Sequence, residues 1–408
     1  MSNTKVDTSS KSGKIDRGFR RHLLIGPLPP PATGQSVSFD RLQRELSNRG
    51  WECRVINLTR GAWSASPVPS VARALKMSGL VASFCLNILK GYRSVYLTIA
   101  QSRSGFIRDA LMIWFAATFR ARLVVHLKGG NYDGFYRAQP SWVKGLIRAT
   151  LLRTHQIIVL GHGLVDMYSF EPQLSERITV VANGLPERFE GTRKKHPGDA
   201  LRILFLSNLI ESKGYFCLLE AFRILKERGV KFHAFFAGEF VKSVDDETII
   251  TAQGAKAEFM NRVERYGLEN NIKYLGSVSG NKKWKLLSDC HVFTLPTRYV
   301  NEGQPVSIIE AMAYGCPVIT TKYRAIPDLV ADGESGFFVE YNDADAIADR
   351  LQELTEDVSL YETMSHNAVE HYRNNFTLDA HLERILPIIE GGPQEQAGYN
   401  AKHFRGGS

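Results

Sequence analysis

Residues 292–320 read VFTLPTRYVNEGQPVSIIEAMAYGCPVIT. An apolar run, a loop with Pro and Gly, a helical stretch ended by Gly315 and a second apolar run follow in that order. This is the pattern of a strand, a crossover helix over 307–314 and a parallel strand. The same alternation extends in both directions. In the front half it predicts strands at 22–25, 53–57, 94–97, 123–126, 156–160 and 178–181. In the back half it predicts them at 203–206, 233–237, 272–275, 292–295, 317–320 and 336–339. The polar stretch 187–201, ERFEGTRKKHPGDAL, lies between the two sets and reads as an interdomain linker. The expected fold class is α/β, with two doubly wound Rossmann-like domains facing across a cleft. Ligands of such folds bind beyond the carboxyl ends of the strands, so the chemistry is sought in loops that follow strands.

The bulk composition agrees with a soluble two-domain chain. Of 408 residues, 44% are hydrophobic and 23% charged, and such a length exceeds one ordinary core. The polar, basic residues 1–20 precede any apolar run and read as a flexible tail rather than a secretory signal. The expected domains are 21–190 and 201–375, joined by a linker at 191–200. A helix within 376–392 is expected to return to the front domain, and 393–408 to form a second tail. Five scattered cysteines without a C-x-x-C pair point to reduced thiols and a cytoplasmic protein. The net charge of +9 is uneven: residues 1–190 hold 26 Lys and Arg against 12 Asp and Glu. An anionic partner for the front half, a membrane surface or nucleic acid, is one reading, and a solvated face is the other.

The loop and helix of the opening stretch carry two carboxylates, Glu302 and Glu310, around Gly303-Gln304-Pro305-Val306. A helix start offers free amides and a positive dipole end to an anion such as a diphosphate. Gly303 leaves room for close backbone approach. The carboxylates can accept hydrogen bonds from sugar and ribose hydroxyls. The letters Ser307 to Glu310 equally spell a capping box, with Glu310 turned back to its own helix start.

The run PTRYVNEGQPVSIIEAMAYGCPVITT closely resembles the signature of the retaining glycosyltransferases of family four, which have the GT-B fold and a paired-Glu motif with this spacing. The resemblance implies that Glu302 contacts the donor sugar and Glu310 the ribose. Gln304-Pro305 stands where the family has Phe-Gly, a departure that bears on which donor sugar is accepted. After strand 203–206, Ser207-Asn208-Leu209-Ile210-Glu211-Ser212-Lys213-Gly214 resembles the family's phosphate loop. Lys213 matches the family's lysine and is suited to stabilise charge on a leaving diphosphate. Asn208 replaces the expected Arg, leaving Arg298 and Lys128 as the alternatives for a second cation. In the front half, 26–36 resembles the family's glycine loop, with Gly34 near the donor phosphates. His126, in VHLKGGN, matches a His that the resemblance places near the reacting sugar.

The expected function is therefore transfer of a sugar, with retention, from a nucleotide-diphosphate sugar to a glycan or lipid-linked glycan in surface polysaccharide or glycolipid synthesis. No metal is expected, because Asp343-Ala344-Asp345 reads as a helix cap. The helical stretches 71–89 and 141–153, apolar with basic ends, suggest peripheral attachment to an anionic inner leaflet. No nucleic acid is expected, since only charge and no binding motif favours it. The rival readings are a sugar-nucleotide epimerase of related architecture and a non-catalytic sugar- or nucleic-acid-binding protein.

Overall fold

In the computed structural model, residues 21–30, 34–59, 71–185, 194–246 and 251–391 are described. The expected tails, residues 31–33 of the glycine loop and residues 191–193 of the expected linker lie outside them. The front half runs β1 (Arg21–Gly26), α1 (Gly34–Asn48), β2 (Glu52–Asn57), α2 (Val71–Leu89), β3 (Ser94–Ile99), α3 (Arg103–Thr118) and β4 (Arg122–Leu127). It continues with α4 (Tyr132–Arg137), α5 (Ser141–Leu151), β5 (Gln156–Val159) and β6 (Ile178–Val180). These strands form one parallel sheet in the order β2-β1-β3-β4-β5-β6.

The back half begins with β7 (Leu201–Leu206), α6 (Tyr215–Glu227), β8 (Phe232–Ala237), α7 (Ala252–Arg265), β9 (Ile272–Gly276) and α8 (Gly280–Asp289). There follow β10 (Val292–Leu295), α9 (Val306–Ala313), β11 (Val318–Thr320), β12 (Gly336–Phe338), α10 (Ala344–Glu356), α11 (Val358–Asn375) and α12 (Leu378–Glu390). Its sheet is also parallel, in the order β12-β11-β10-β7-β8-β9. All the strands read from the sequence are present, most of them one or two residues longer than expected.

Both sheets are covered on both faces, which is why their strands are continuous apolar runs. Alternate side chains of one strand serve opposite faces. In β1 and β4, Leu23, Ile25, Leu123, Val125 and Leu127 join the core beneath α2, α3 and α5. Leu24 and Val124 join a separate core beneath α1 and α12. That second core contains Leu382, Ile385 and Ile389 of α12, so the last described helix crosses from the back half and closes the front sheet. Thr377 caps its start by accepting from the Ala380 amide at 3.2 Å. Arg122 holds its end, donating to the Ile388 carbonyl at 2.9 Å.

In both sheets the strand order reverses beside the first strand, β1 in the front half and β7 in the back. The loops after β4, β7 and β10 meet near those points.

Candidate functional site

The loop that leaves β7 and the loop that leaves β10 are laced together before either meets a ligand. Gly214 has φ +78°, and a Cβ there would lie 2.4 Å from the Pro296 carbonyl oxygen, so only glycine fits. The Arg298 amide donates to the Ser212 carbonyl at 2.7 Å. This crossing fixes Lys213, whose Nζ donates to Ser207 Oγ at 2.8 Å and stands 3.2 Å from Glu302 Oε2. The Tyr299 ring lies 5.1 Å from the same ammonium. The paired side chains are only 11% and 9% exposed. Two residues separated along the chain, read independently as phosphate and sugar ligands, thus form one desolvated ion pair.

Glu310 sits within α9, buried, with Lys283 Nζ of α8 2.6 Å from its Oε1. Burial raises the Glu310 pKa and the lysine opposes that shift. The capping-box alternative fails here. Pro305 is the N-cap and offers no side-chain bond, Ser307 is already inside the helix, and the Glu310 carboxylate turns to Lys283. Asp343 is a true cap, accepting from the Ala346 amide at 2.9 Å.

A cavity of about 340 Å³ lies between the halves, lined by Ser38 and Arg41 of α1, Asn183, Lys283, Trp284 and Glu310. Val306, at the start of α9, also borders it. Its size suits a ligand pocket, and acceptors, cations and an aromatic face converge on it. Lys283, Trp284, Ser38 and Arg41 were not singled out in the sequence. Asn-Lys-Lys-Trp-Lys reads as a solvated helix face, and only its position after β9 turns one side inward.

The structure corrects three expectations. His126 is not at a strand end: β4 continues to Leu127, and the parity of the strand points His126 toward α1 and α12. Its ring is wholly buried, 2.6 Å from the Tyr96 hydroxyl through Nδ1, and burial holds it neutral. It is packed in the buried layer beneath α1 and α12, with Nε2 lacking a hydrogen-bond partner among the described residues. Gln304 does not offer its side chain to a ligand either. Its Nε2 donates to the Leu160 carbonyl at 3.0 Å and its Oε1 accepts from the Asn183 amide at 2.7 Å, so it ties the back loop to the front half.

Gly303 is the third. What approaches it is the Lys128 carbonyl, 2.5 Å from where a Cβ would stand. Gly130 is its counterpart, with a Cβ position 1.7 Å from the Glu302 carbonyl oxygen. The Gly130 amide donates to the Asn301 carbonyl at 3.3 Å and Asn131 Nδ2 to Asn301 Oδ1 at 3.2 Å, closing the seam. Asn208 is exposed on the loop after β7, Pro305 is buried at the start of α9, and Gly34 opens α1. Arg298 stacks on Tyr341 at 5.2 Å and lines a separate cavity of about 1010 Å³ in the back half.

Residues 188–371 match the family described as glycosyl transferases group 1. That match lies in the back half and takes in a little under half of the chain. The chain is 32% identical over 221 residues to WcaL of Salmonella typhimurium, a glycosyltransferase assigned to colanic acid biosynthesis, covering 53% of this chain and 51% of WcaL. It is 28% identical over 255 residues to the capsular polysaccharide biosynthesis glycosyltransferase CapM of Staphylococcus aureus, covering 62% of this chain and 60% of CapM. The chain thus spans about half the length of the first of these relatives. In overall architecture it is similar to Anabaena HepE, solved with UDP and glucose, at a TM-score of 0.67 and 17% identity over 91% of this chain and all of HepE (100%). A glycosyltransferase from Rickettsia africae gives a TM-score of 0.70 at 17% identity, covering 91% of this chain and 97% of that one. At such identity the likeness establishes the fold, which is GT-B.

Proposed function

We propose that the chain transfers a sugar, with retention of configuration, from a nucleotide-diphosphate sugar to a glycan or lipid-linked glycan. The observation that carries this reading is the Lys213–Glu302 pair, 3.2 Å apart and nearly dry at the meeting of the β7 and β10 loops. The bond that breaks joins the sugar's C1 to a diphosphate oxygen. Lys213 neutralises charge on that departing group, and a low local dielectric strengthens the effect. Glu302, released from Lys213 as the phosphate arrives, accepts from sugar hydroxyls. Glu310 accepts from the ribose, with Lys283 beside it. The bond that forms joins C1 to an acceptor hydroxyl oxygen, whose proton leaves with the diphosphate. The relatives named for polysaccharide synthesis favour a glycan acceptor, and no metal enters the scheme.

The test is incubation with UDP-, GDP- and ADP-sugars plus membrane lipid extract, scoring nucleotide release and labelled product. Turnover of one donor into an acceptor supports transfer. Interconversion of the donor without an acceptor identifies an epimerase instead, and donor bound but never consumed identifies a binding protein.

We further place the front half against an anionic membrane surface. Among the described residues no helix is long and apolar enough to cross a membrane. The helices α2, α3 and α5 pack side by side over one face of the front sheet. Their outward side exposes Leu75, Leu86, Ile107, Leu111 and Trp142, the last at 74%. Lys76, Lys90, Arg103, Arg120 and Arg148 are exposed on or next to the same helices. The single carboxylate on the three helices, Asp109, is buried against Arg108. An apolar strip fringed by unopposed cations fits an anionic leaflet. Co-sedimentation with phosphatidylglycerol vesicles at low salt, lost on Trp142→Ser with Leu111→Ser, tests it; equal recovery with and without vesicles refutes it.

A further inference from the structure

Each cation that the back half brings to the site has its own carboxylate: Lys213 has Glu302 and Lys283 has Glu310. Lys128 of the front half is different. It follows β4 directly, and its Nζ donates to Asn183 Oδ1 at 3.0 Å and to Ser38 Oγ at 3.3 Å. Among the described residues both of these polar partners are uncharged. Both also line the cavity between the halves, so the ammonium lies just behind that wall, bonded to two of its lining side chains. The backbone of the same residue is pressed against Gly303, next in the chain to Glu302. Lys128 is thus fixed at both ends, behind the pocket wall and beside the Glu302 backbone, with no carboxylate bonded to it among the described residues.

Resting on the transfer reading above, we infer that Lys128 supplies the second cation for the donor's diphosphate, in place of the one that Asn208 lacks in the back half. The alternative cation, Arg298, is stacked on Tyr341 and faces the other cavity. The phosphate would then be gripped from both halves, by Lys213 and by Lys128.

The environment of Lys128 explains why such an anion is welcome. Burial without a compensating charge pushes its pKa down to about 7. The titratable groups around it are His126 on β4 and His381 on α12, both held neutral by burial, Arg41 on α1 and Glu302 across the seam. A diphosphate favours the charged form of Lys128, so binding above pH 7 takes up a proton, and affinity falls as pH rises further.

The experiment is calorimetric titration of the full chain with UDP, GDP and ADP in two buffers of different ionisation enthalpy at pH 7.5. The wild type is expected to bind one of these diphosphates with measurable proton uptake. Lys128→Met should weaken that binding about tenfold or more and abolish the uptake. Lys128→Arg, whose charge does not titrate, should restore affinity while flattening its pH dependence. A merely structural lysine would change stability without moving proton uptake, and the uptake by the wild type is readable even if a variant folds poorly. Binding of a diphosphate by the wild type without uptake, or unchanged affinity and uptake in Lys128→Met, overturns the inference and leaves the transfer reading standing. Failure of the wild type to bind any nucleoside diphosphate overturns both.

Discussion

Removing Lys213 does two things that a single assay would confuse. It deletes a phosphate ligand, and it strands the Glu302 carboxylate, whose side chain is 9% exposed, with the Thr297 hydroxyl at 3.3 Å as its nearest remaining donor. Breaking one side of a buried pair costs about 3–5 kcal/mol. Residual exposure and the Thr297 bond reduce the expected loss for Lys213→Met to about 2–4 kcal/mol. Replacing both partners, Lys213→Met with Glu302→Gln, removes both charges together, and stability should return to within about 1 kcal/mol of wild type. The assay is urea unfolding followed by a back-half probe, run beside sugar transfer, on the wild type, both single variants and the double. Transfer should drop about 10²-fold or more in all three variants, including the stable double. Two results would refute the reasoning. Wild-type stability of Lys213→Met would show the pair to be well solvated, and appreciable transfer by the folded double variant would show that these side chains do not handle the donor.

Other perturbations test the seam and the cores. Gln304→Leu orphans the Leu160 carbonyl and the Asn183 amide, so it should cost about 1–3 kcal/mol and speed amide exchange at Asn183. Gly130→Ala, with a Cβ position 1.7 Å from the Glu302 carbonyl oxygen, should push the two loops apart and weaken nucleotide binding while each half still melts cooperatively. Falling pH should destabilise the fold through three buried histidines. Burial lowers His291 and His371 to about 4 and His381 to about 3, so the unfolded chain binds protons first. Their contribution is whole above the unfolded pKa of about 6.5 and is lost as pH falls toward about 4; a thermal melt flat over that window would contradict it. Chelation by EDTA should leave transfer unchanged.

The strands were legible because burial on both faces writes them as unbroken Val, Ile, Leu and Phe runs. The site was legible only in part. Lys213 and Glu302 announced themselves through local spacing, but their contact depends on Gly214 crossing Pro296, which no local pattern encodes. His126 was misplaced because a strand read one residue short leaves its last side chain free, whereas one more residue commits it to a face. Gln304 looked like a ligand because its partners, Leu160 and Asn183, lie in the other half of the chain. Ser307 mimicked a cap since Pro305, two residues earlier in the chain, had already started the helix. Lys283 and Trp284 gave no signal, as a charged helix looks alike whether one side meets solvent or a pocket.

The crossing of α12 back to the front sheet also sets an order of assembly. A ribosome completes the strands of the front half by residue 180, yet Leu24, Tyr96, Val124 and Ile158 gain their cover from Leu382, Ile385 and Ile389 only after the back half has been made. Through that interval the nascent front half carries an open greasy face of the kind that chaperones hold. The two halves are therefore not interchangeable cassettes: one cut loose before residue 378 lacks the lid of its own core.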